Sequence, residues 1–258
     1  MLIVIEPDQN STIPKKIWTI GGVTEHLGGV RATRNLLQAC QIISLSTVLD
    51  VGCGTGYSAC LLAKSQPQRI LAMDLNSTSL RSAQKRVVKE GYRERIDLLQ
   101  ADAHHIPLPD RSIDVTILES VLVFCDAPEA LSEIRRVLKV GGRLGDNEMT
   151  LLKPPTDQLT HLLKDVMGVN PHLQNEWEEI YRKAGFEVMQ ASIGILKLSD
   201  QFSSHMKVDG LGNYLKAVIA GLSDKTLWRT FINREMWRAF MDFRDFIGYG
   251  TYVMKRAA

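Results

Sequence analysis

The chain has 258 residues, of which 45% are hydrophobic and 23% charged, with a mean hydropathy of −0.07. That composition suits one large globular domain, or a core with an appended cap, and excludes disordered and fibrous classes. With 31 Lys and Arg against 29 Asp and Glu, the net charge of +2 gives no strong basic field for nucleic acid or an anionic membrane, so a small-molecule partner is favoured.

The N-terminal run Leu2 to Ile5 is cut short by Glu6 and Asp8, and no apolar stretch nears the roughly 18 residues of a membrane span, which predicts a soluble chain without membrane insertion. From residue 48 to about 150, short β-branched runs alternate with amphipathic helical patterns, the mark of a parallel sheet flanked by helices, hence an α/β class. Residues 47–51 read as strand 1 and 69–74 as strand 2, with a helix between them. Asn76 or Ser77 caps the next helix, whose Leu80, Ala83 and Val87 share a face and which Gly91 stops. Residues 96–100 and 113–119 read as strands 3 and 4. Asp126-Ala-Pro128 starts a helix that turns Leu131, Ile134 and Leu138 to the sheet and ends at Gly141-Gly142, and residues 143–150 make strand 5. The polar tail Asp146-Asn147-Glu148 points that strand's end at a site.

Beyond strand 5, Pro154-Pro155 turns the chain, helices are expected over 156–167 and 176–184, and strands over 187–196 and 248–254. The last 59 residues hold ten of the 17 aromatics, and within them Trp228, Phe231, Ile232, Met236, Phe240, Phe243 and Ile247 recur at helical spacing. Such a stripe docks on a core or lines an apolar ligand, and in a lid it does both. The expected divisions are an N-terminal segment and opening helix over the site (1–44), a core (45–151), helices and a strand completing the sheet (152–198), an aromatic-rich helical cap (199–247) and a final strand (248–258). Cys40, Cys53, Cys60 and Cys125 form no CxxC pair, which fits a reducing, cytoplasmic setting and no structural metal.

The sharpest signal is Val48-Leu-Asp-Val-Gly-Cys-Gly-Thr-Gly56, a strand running through glycines into a helix. Glycines there permit turn dihedrals and a close approach of backbone to ligand. The third glycine follows the second by two residues rather than three, and Asp50 precedes the first, which separates this loop from the nicotinamide pattern. Asp74 lies 24 residues after Asp50, where a carboxylate can accept from both ribose hydroxyls. Gly52, Gly54 and Gly56 could be plain turn glycines and Asp74 a helix cap, but their joint spacing points to a nucleoside. Cys53 reads as small filler rather than a nucleophile, since no base adjoins it.

These motifs resemble those of class I S-adenosylmethionine-dependent methyltransferases, in particular the ubiquinone-biosynthesis-like small-molecule group. The resemblance covers roughly residues 45–150 and extends to Ala101-Asp-Ala103, to residues 107–114 and to residues 131–142. It implies a Rossmann-like, seven-stranded, mostly parallel sheet with helices on both faces and a helical cap. It also implies that Asp50, Gly52, Gly54 and Gly56 wrap the methionine part of the cofactor, that Asp74 and Leu75 hold the ribose side, that Asp102 and Ala103 clamp adenine, and that Glu119 closes the set. The cofactor would be S-adenosyl-L-methionine and the product S-adenosyl-L-homocysteine.

The acceptor is expected over the ends of strands 4 and 5, near residues 119–124 and 146–148. Many relatives carry histidines after strand 4 where this chain has Val123-Phe124, so no base carries over from there. The candidate catalytic residues are His26, in a segment resembling an H-x-G-G loop, and Glu148. Each has a structural alternative, packing for His26 and solvation for Glu148. Trp18 could meet a sulfonium by cation–π contact or simply pack. His104 and His105 are expected on the surface. The leading function is methyl transfer to a small, partly apolar molecule; its rivals are RNA or protein methylation, cofactor binding without turnover, and nicotinamide-dependent oxidoreduction. Base methylation is disfavoured because Glu119-Ser-Val-Leu122 stands where an N/D-P-P-Y/F motif would be. No feature of the sequence sets the oligomeric state.

Overall fold

The computed structural model describes residues 27–196 and 244–258, so Trp18, His26 and the aromatic stretch up to residue 243 lie outside the described residues. Eight strands form one sheet: β1 (Thr47–Val51), β2 (Arg69–Asp74), β3 (Ile96–Gln100), β4 (Ile113–Glu119), β5 (Leu138–Leu151), β6 (His172–Leu173), β7 (Phe186–Ile195) and β8 (Ile247–Arg256). Their order is β3-β2-β1-β4-β5-β8-β7, with β6 pairing β5 beyond the end of β4. β1 to β6 pair in parallel, whereas β8 runs antiparallel between β5 and β7. β1 and β4 are buried on both faces, which is why Val48, Leu49 and Val51 form a near-continuous apolar run rather than an alternating one.

Helices cover both faces. Leu36, Leu62 and Val87 from α1 (Gly29–Ala39), α2 (Tyr57–Ala63) and α3 (Ser77–Lys89) pack on one side of the sheet. Leu131, Leu159 and Trp177 from α4 (Ala127–Val137), the short α5 (Asp157–His161) and α6 (Gln174–Lys183) pack on the other. The start signals act as expected: Asn76 Oδ1 accepts from the Thr78 and Ser79 N–H groups at 2.8 and 3.3 Å, and Asp126 Oδ1 accepts from the Glu129 N–H at 2.9 Å.

Four expectations need correcting. α4 ends at Val137, and Leu138 begins β5 by pairing with Ile113, so Gly141-Gly142 do not stop a helix. Instead they sit in a register shift of β5, where Gly141 takes φ +77° and a Cβ on Gly142 would lie 2.8 Å from the Lys139 carbonyl. The helix expected over 156–167 is α-helical only through His161 and widens into a π turn over Leu162–Val166. The sheet gains an eighth strand, the two-residue β6, too short to show a period. Ile247, assigned to the helical stripe, pairs with Leu151 in β8.

Candidate active site

β1 and β4 are neighbours, yet the helix after β1 packs on one face and the helix after β4 on the other, so a crevice opens at the carboxyl ends of the strands between them. The glycine loop lies there. Gly52, Gly54 and Gly56 have φ of +69°, +52° and +78°. A Cβ on Gly52 would come 2.5 Å from Val121 Cγ2, whereas one on Gly54 would meet nothing nearer than the Gly52 carbonyl at 4.0 Å. The middle of the loop therefore presents bare backbone to open space. Asp74 at the end of β2 fastens it: Oδ2 accepts from the Gly54 N–H at 2.8 Å and Oδ1 from the Asn76 N–H at 2.7 Å. Each oxygen keeps a lone pair for a further donor. Burial raises the Asp74 pKa, while these two N–H groups pull it back down.

Beneath the loop, acid is concentrated. Asp50 is 2% exposed, its Oδ2 is buried without a hydrogen-bond partner, and burial together with Glu119 and Asp74 pushes its carboxyl well above the usual range. Glu119, ending β4, is held in place by three elements. Its Oε2 accepts from Thr33 Oγ1 of α1 at 2.6 Å and Asn147 Nδ2 of β5 at 3.4 Å, and its Oε1 from Ser58 Oγ of α2 at 2.5 Å. Ser120 follows in the left-handed region at φ +57°, its hydroxyl buried and unpartnered, as is Asn147 Oδ1. Three neighbouring carboxylates, bare backbone and orphaned polar atoms make a site suited to a cationic, hydrogen-bonding ligand; an unpaired buried carboxylate oxygen is otherwise costly. Burial, Asp50 and Asp74 together push the Cys53 thiol far up, consistent with filler.

After β3, Asp102 Oδ1 accepts from the His104 N–H at 2.9 Å and lies 2.8 Å from His104 Nδ1, while His104 Nε2 accepts from the Asp126 N–H at 3.2 Å. His104 is thus no free surface residue, as the sequence had suggested. Its ring links Asp102 to the start of α4, with the proton on Nδ1. Ala103 is half-buried and Leu75 is 62% exposed beside the crevice.

Glu148 departs from expectation. It is fully buried rather than solvated, and its Oε1 accepts from the Val121 and Leu122 N–H groups at 2.6 and 2.7 Å. This placement makes it a support for the loop after β4. Burial lifts its pKa from 4.5 to about 7. Two residues back on the same face, Asp146 accepts from the Tyr181 hydroxyl at 2.7 Å and is itself raised by burial and by Glu148. Thr33 and Ser58 escaped the sequence reading, whereas Asn147 lies in the polar tail that was expected to face a site. The one available signal was a polar residue on the apolar face of α1, at Thr33. Asn147 also donates to the Leu27 carbonyl at 2.8 Å, and the Tyr249 ring fills the space where a Cβ on Gly28 or Gly194 would sit. Those contacts clamp the start of α1 onto the carboxyl edge.

Residues 49–145 match the family described as methyltransferase domain. The chain is 29% identical over 225 residues to the uncharacterized methyltransferase YodH of Bacillus subtilis (strain 168), covering 87% of this chain and 93% of that protein. It is 35% identical over 121 residues to the demethylmenaquinone methyltransferase of Lactiplantibacillus plantarum (strain ATCC BAA-793 / NCIMB 8826 / WCFS1), 44% of this chain and 51% of that one. A structure of geranyl diphosphate methyltransferase in complex with S-adenosylmethionine superposes with a TM-score of 0.66 at 13% identity, over 88% of this chain and 85% of the other. With the glycine loop, the strand-end carboxylates and the switch-point crevice in one place, the matched region, residues 49–145, is a class I S-adenosylmethionine-dependent methyltransferase domain.

Proposed function

We propose that the chain methylates a small, partly apolar molecule at the carboxyl edge of the sheet. The observation that carries this is the brace there: the Tyr249 ring fills the space beside Gly28 and Gly194 and Asn147 donates to the Leu27 carbonyl, which sets the start of α1 over buried acids and bare backbone rather than over a basic surface. Half-buried Val121 and 38%-exposed Phe124 give the crevice an apolar rim. The named relatives that act on demethylmenaquinone and geranyl diphosphate have acceptors of that kind, which supports the reading.

When bound, the cofactor supplies an electrophilic methyl on a sulfonium. The chain's own part is to bind, orient and exclude water. The backbone of residues 52–56 wraps the amino-acid tail, with Asp50 and Glu119 favouring its positive charge. Asp74 takes the ribose hydroxyls with its spare lone pairs, beside Leu75. Asp102, oriented by His104, and the Ala103 N–H read the adenine edge. Glu148 is a positioning residue: it sets Val121 and Leu122, and so the rim that the acceptor crosses. His26 remains the proposed contact from the N-terminal segment.

The test is incubation with methyl-labelled cofactor and separate pools of solvent-extractable metabolites, RNA and protein. Label in the extractable pool is expected. Label confined to RNA or protein, or none despite tight S-adenosylhomocysteine binding, overturns the proposal.

A further inference from the structure

At the opposite, amino edge of the sheet lies a cavity of about 1000 Å³ between α4, α6 and the end of β8. Five cationic side chains line it against two acids, Asp110 and Glu133. Both acids are already engaged: Arg136 holds Asp110 at 2.8 Å and both Glu133 oxygens at 2.8 Å, and it also donates to the Leu108 and Ile106 carbonyls. Lys183 pairs with Glu179 at 2.7 Å outside the cavity. Three guanidinium groups are left over, on Arg111, Arg135 and Arg256.

Arg256 is 7% exposed. It donates through Nη1 to the Leu138 and Arg136 carbonyls, but its Nε is buried without a partner. Arg135 Nε is likewise buried and unpartnered, laid across Gly185 where an added Cβ would sit 2.5 Å away. Burial and the repulsion of Arg135 and Arg111 pull the Arg256 pKa below its ordinary value, and Asp110, already held by Arg136, offsets this only in part. Buried donors left empty beside mutually repelling cations are rare in a finished fold and cost stability.

We propose that this cavity binds a phosphate-bearing small molecule through Arg111, Arg135 and Arg256. Three converging cations call for an anion of more than one charge, and a phosphate monoester carries about −1.5 to −2 with three acceptor oxygens suited to guanidinium forks. A concave site of this volume falls at the upper end of small-ligand pockets, roughly 300–1000 Å³, and the net charge of +2 is too weak to favour a nucleic-acid track. The site is separate from the methyl-transfer crevice, which lies at the other ends of the same strands.

Calorimetric titration of the full chain with inorganic phosphate and with adenosine monophosphate, against chloride at equal ionic strength, tests it. Saturable binding at one site is expected, with or without saturating S-adenosylhomocysteine. Inorganic phosphate binding alone identifies the free ion as the ligand class, and tighter adenosine monophosphate binding identifies an ester. The Arg111→Gln, Arg135→Gln double variant should lose about tenfold or more in affinity while keeping S-adenosylhomocysteine binding within twofold. Should that variant fail to fold, Ser132→Glu brings a carboxylate to the rim from an exposed helix position, removes no packed arginine, and should abolish phosphate binding. No saturable heat, displacement by S-adenosylhomocysteine, unchanged affinity in the variants, or binding of single-stranded RNA where phosphate is silent overturns the proposal.

Discussion

Asp74 does two jobs with one carboxylate. It accepts from the Gly54 and Asn76 N–H groups, tying the glycine loop to the start of α3, and each oxygen keeps a lone pair for a further donor. Removing it strips two charge-assisted hydrogen bonds from the loop as well as the acceptor proposed for the ribose, and each such bond contributes about 1.5–3 kcal/mol. Asp74→Ala should therefore weaken S-adenosylhomocysteine binding by about tenfold or more, read by calorimetry, with a smaller fall in melting temperature. Unchanged affinity would remove Asp74 from the site. At this scale the sequence was most informative where a residue's role is set by its immediate neighbours in the chain. The glycine spacing and the strand-end acid are such cases. Thr33 and Ser58 are the opposite case: they reach Glu119 across 86 and 61 residues, and no local pattern encodes that meeting.

β5 carries an unusual load for a buried strand. On one of its faces Asp146, Glu148 and Thr150 follow one another, met by the hydroxyls of Tyr181 and Tyr252, with the Cys125 thiol nearby, raised by burial and further by Glu148. The native Glu148 holds its proton up to about pH 7, whereas an unfolded glutamate releases it near 4.5. Between those values the folded state binds more protons than the unfolded one, so this contribution to stability falls as pH rises through the window. Melting temperature should drop by roughly a few degrees between pH 5 and 7.5. Glu148→Gln, which keeps an acceptor for the Val121 and Leu122 N–H groups, should make that slope shallower, with the raised Asp50 and Asp146 supplying the remainder; a variant with the wild-type slope would mean Glu148 is ionised throughout. The same strand shows where element boundaries escape a sequence reading. Gly141-Gly142 look like a helix stop because glycine ends helices locally, yet pairing with β4 already claims Leu138, and the glycines serve a shift in register. β1 to β4 carry no such conflict, and their observed limits match the expected ones.

For the whole molecule, the two edges of the sheet have separate characters: acids and bare backbone at the carboxyl edge, surplus arginine at the amino edge. The α/β class was legible because the parallel steps from β1 to β2, β2 to β3 and β4 to β5 each repeat one local unit of strand, turn and helix, although β3 passes to β4 without a helix. The order of β8 and β7 was not, since antiparallel neighbours on a sheet's far side leave no periodic trace. Among the described residues no helix is long and apolar enough to cross a membrane. β8 is later in sequence than β7 yet sits between it and β5. A chain shortened to residue 246 should leave β5 with a naked edge, aggregate on expression, and show no cofactor binding in any soluble fraction; a monomeric product that binds normally would refute this.

That insertion also sets a timetable for synthesis on the ribosome. β7 emerges before β8, its strand partner among the described residues, and the brace that Tyr249 sets on Gly28 and Gly194 arrives only when residue 249 is in place. The nascent polypeptide can assemble β1 to β5 while still tethered, but the bolt on the crevice at their carboxyl ends is translated about a hundred residues after β5.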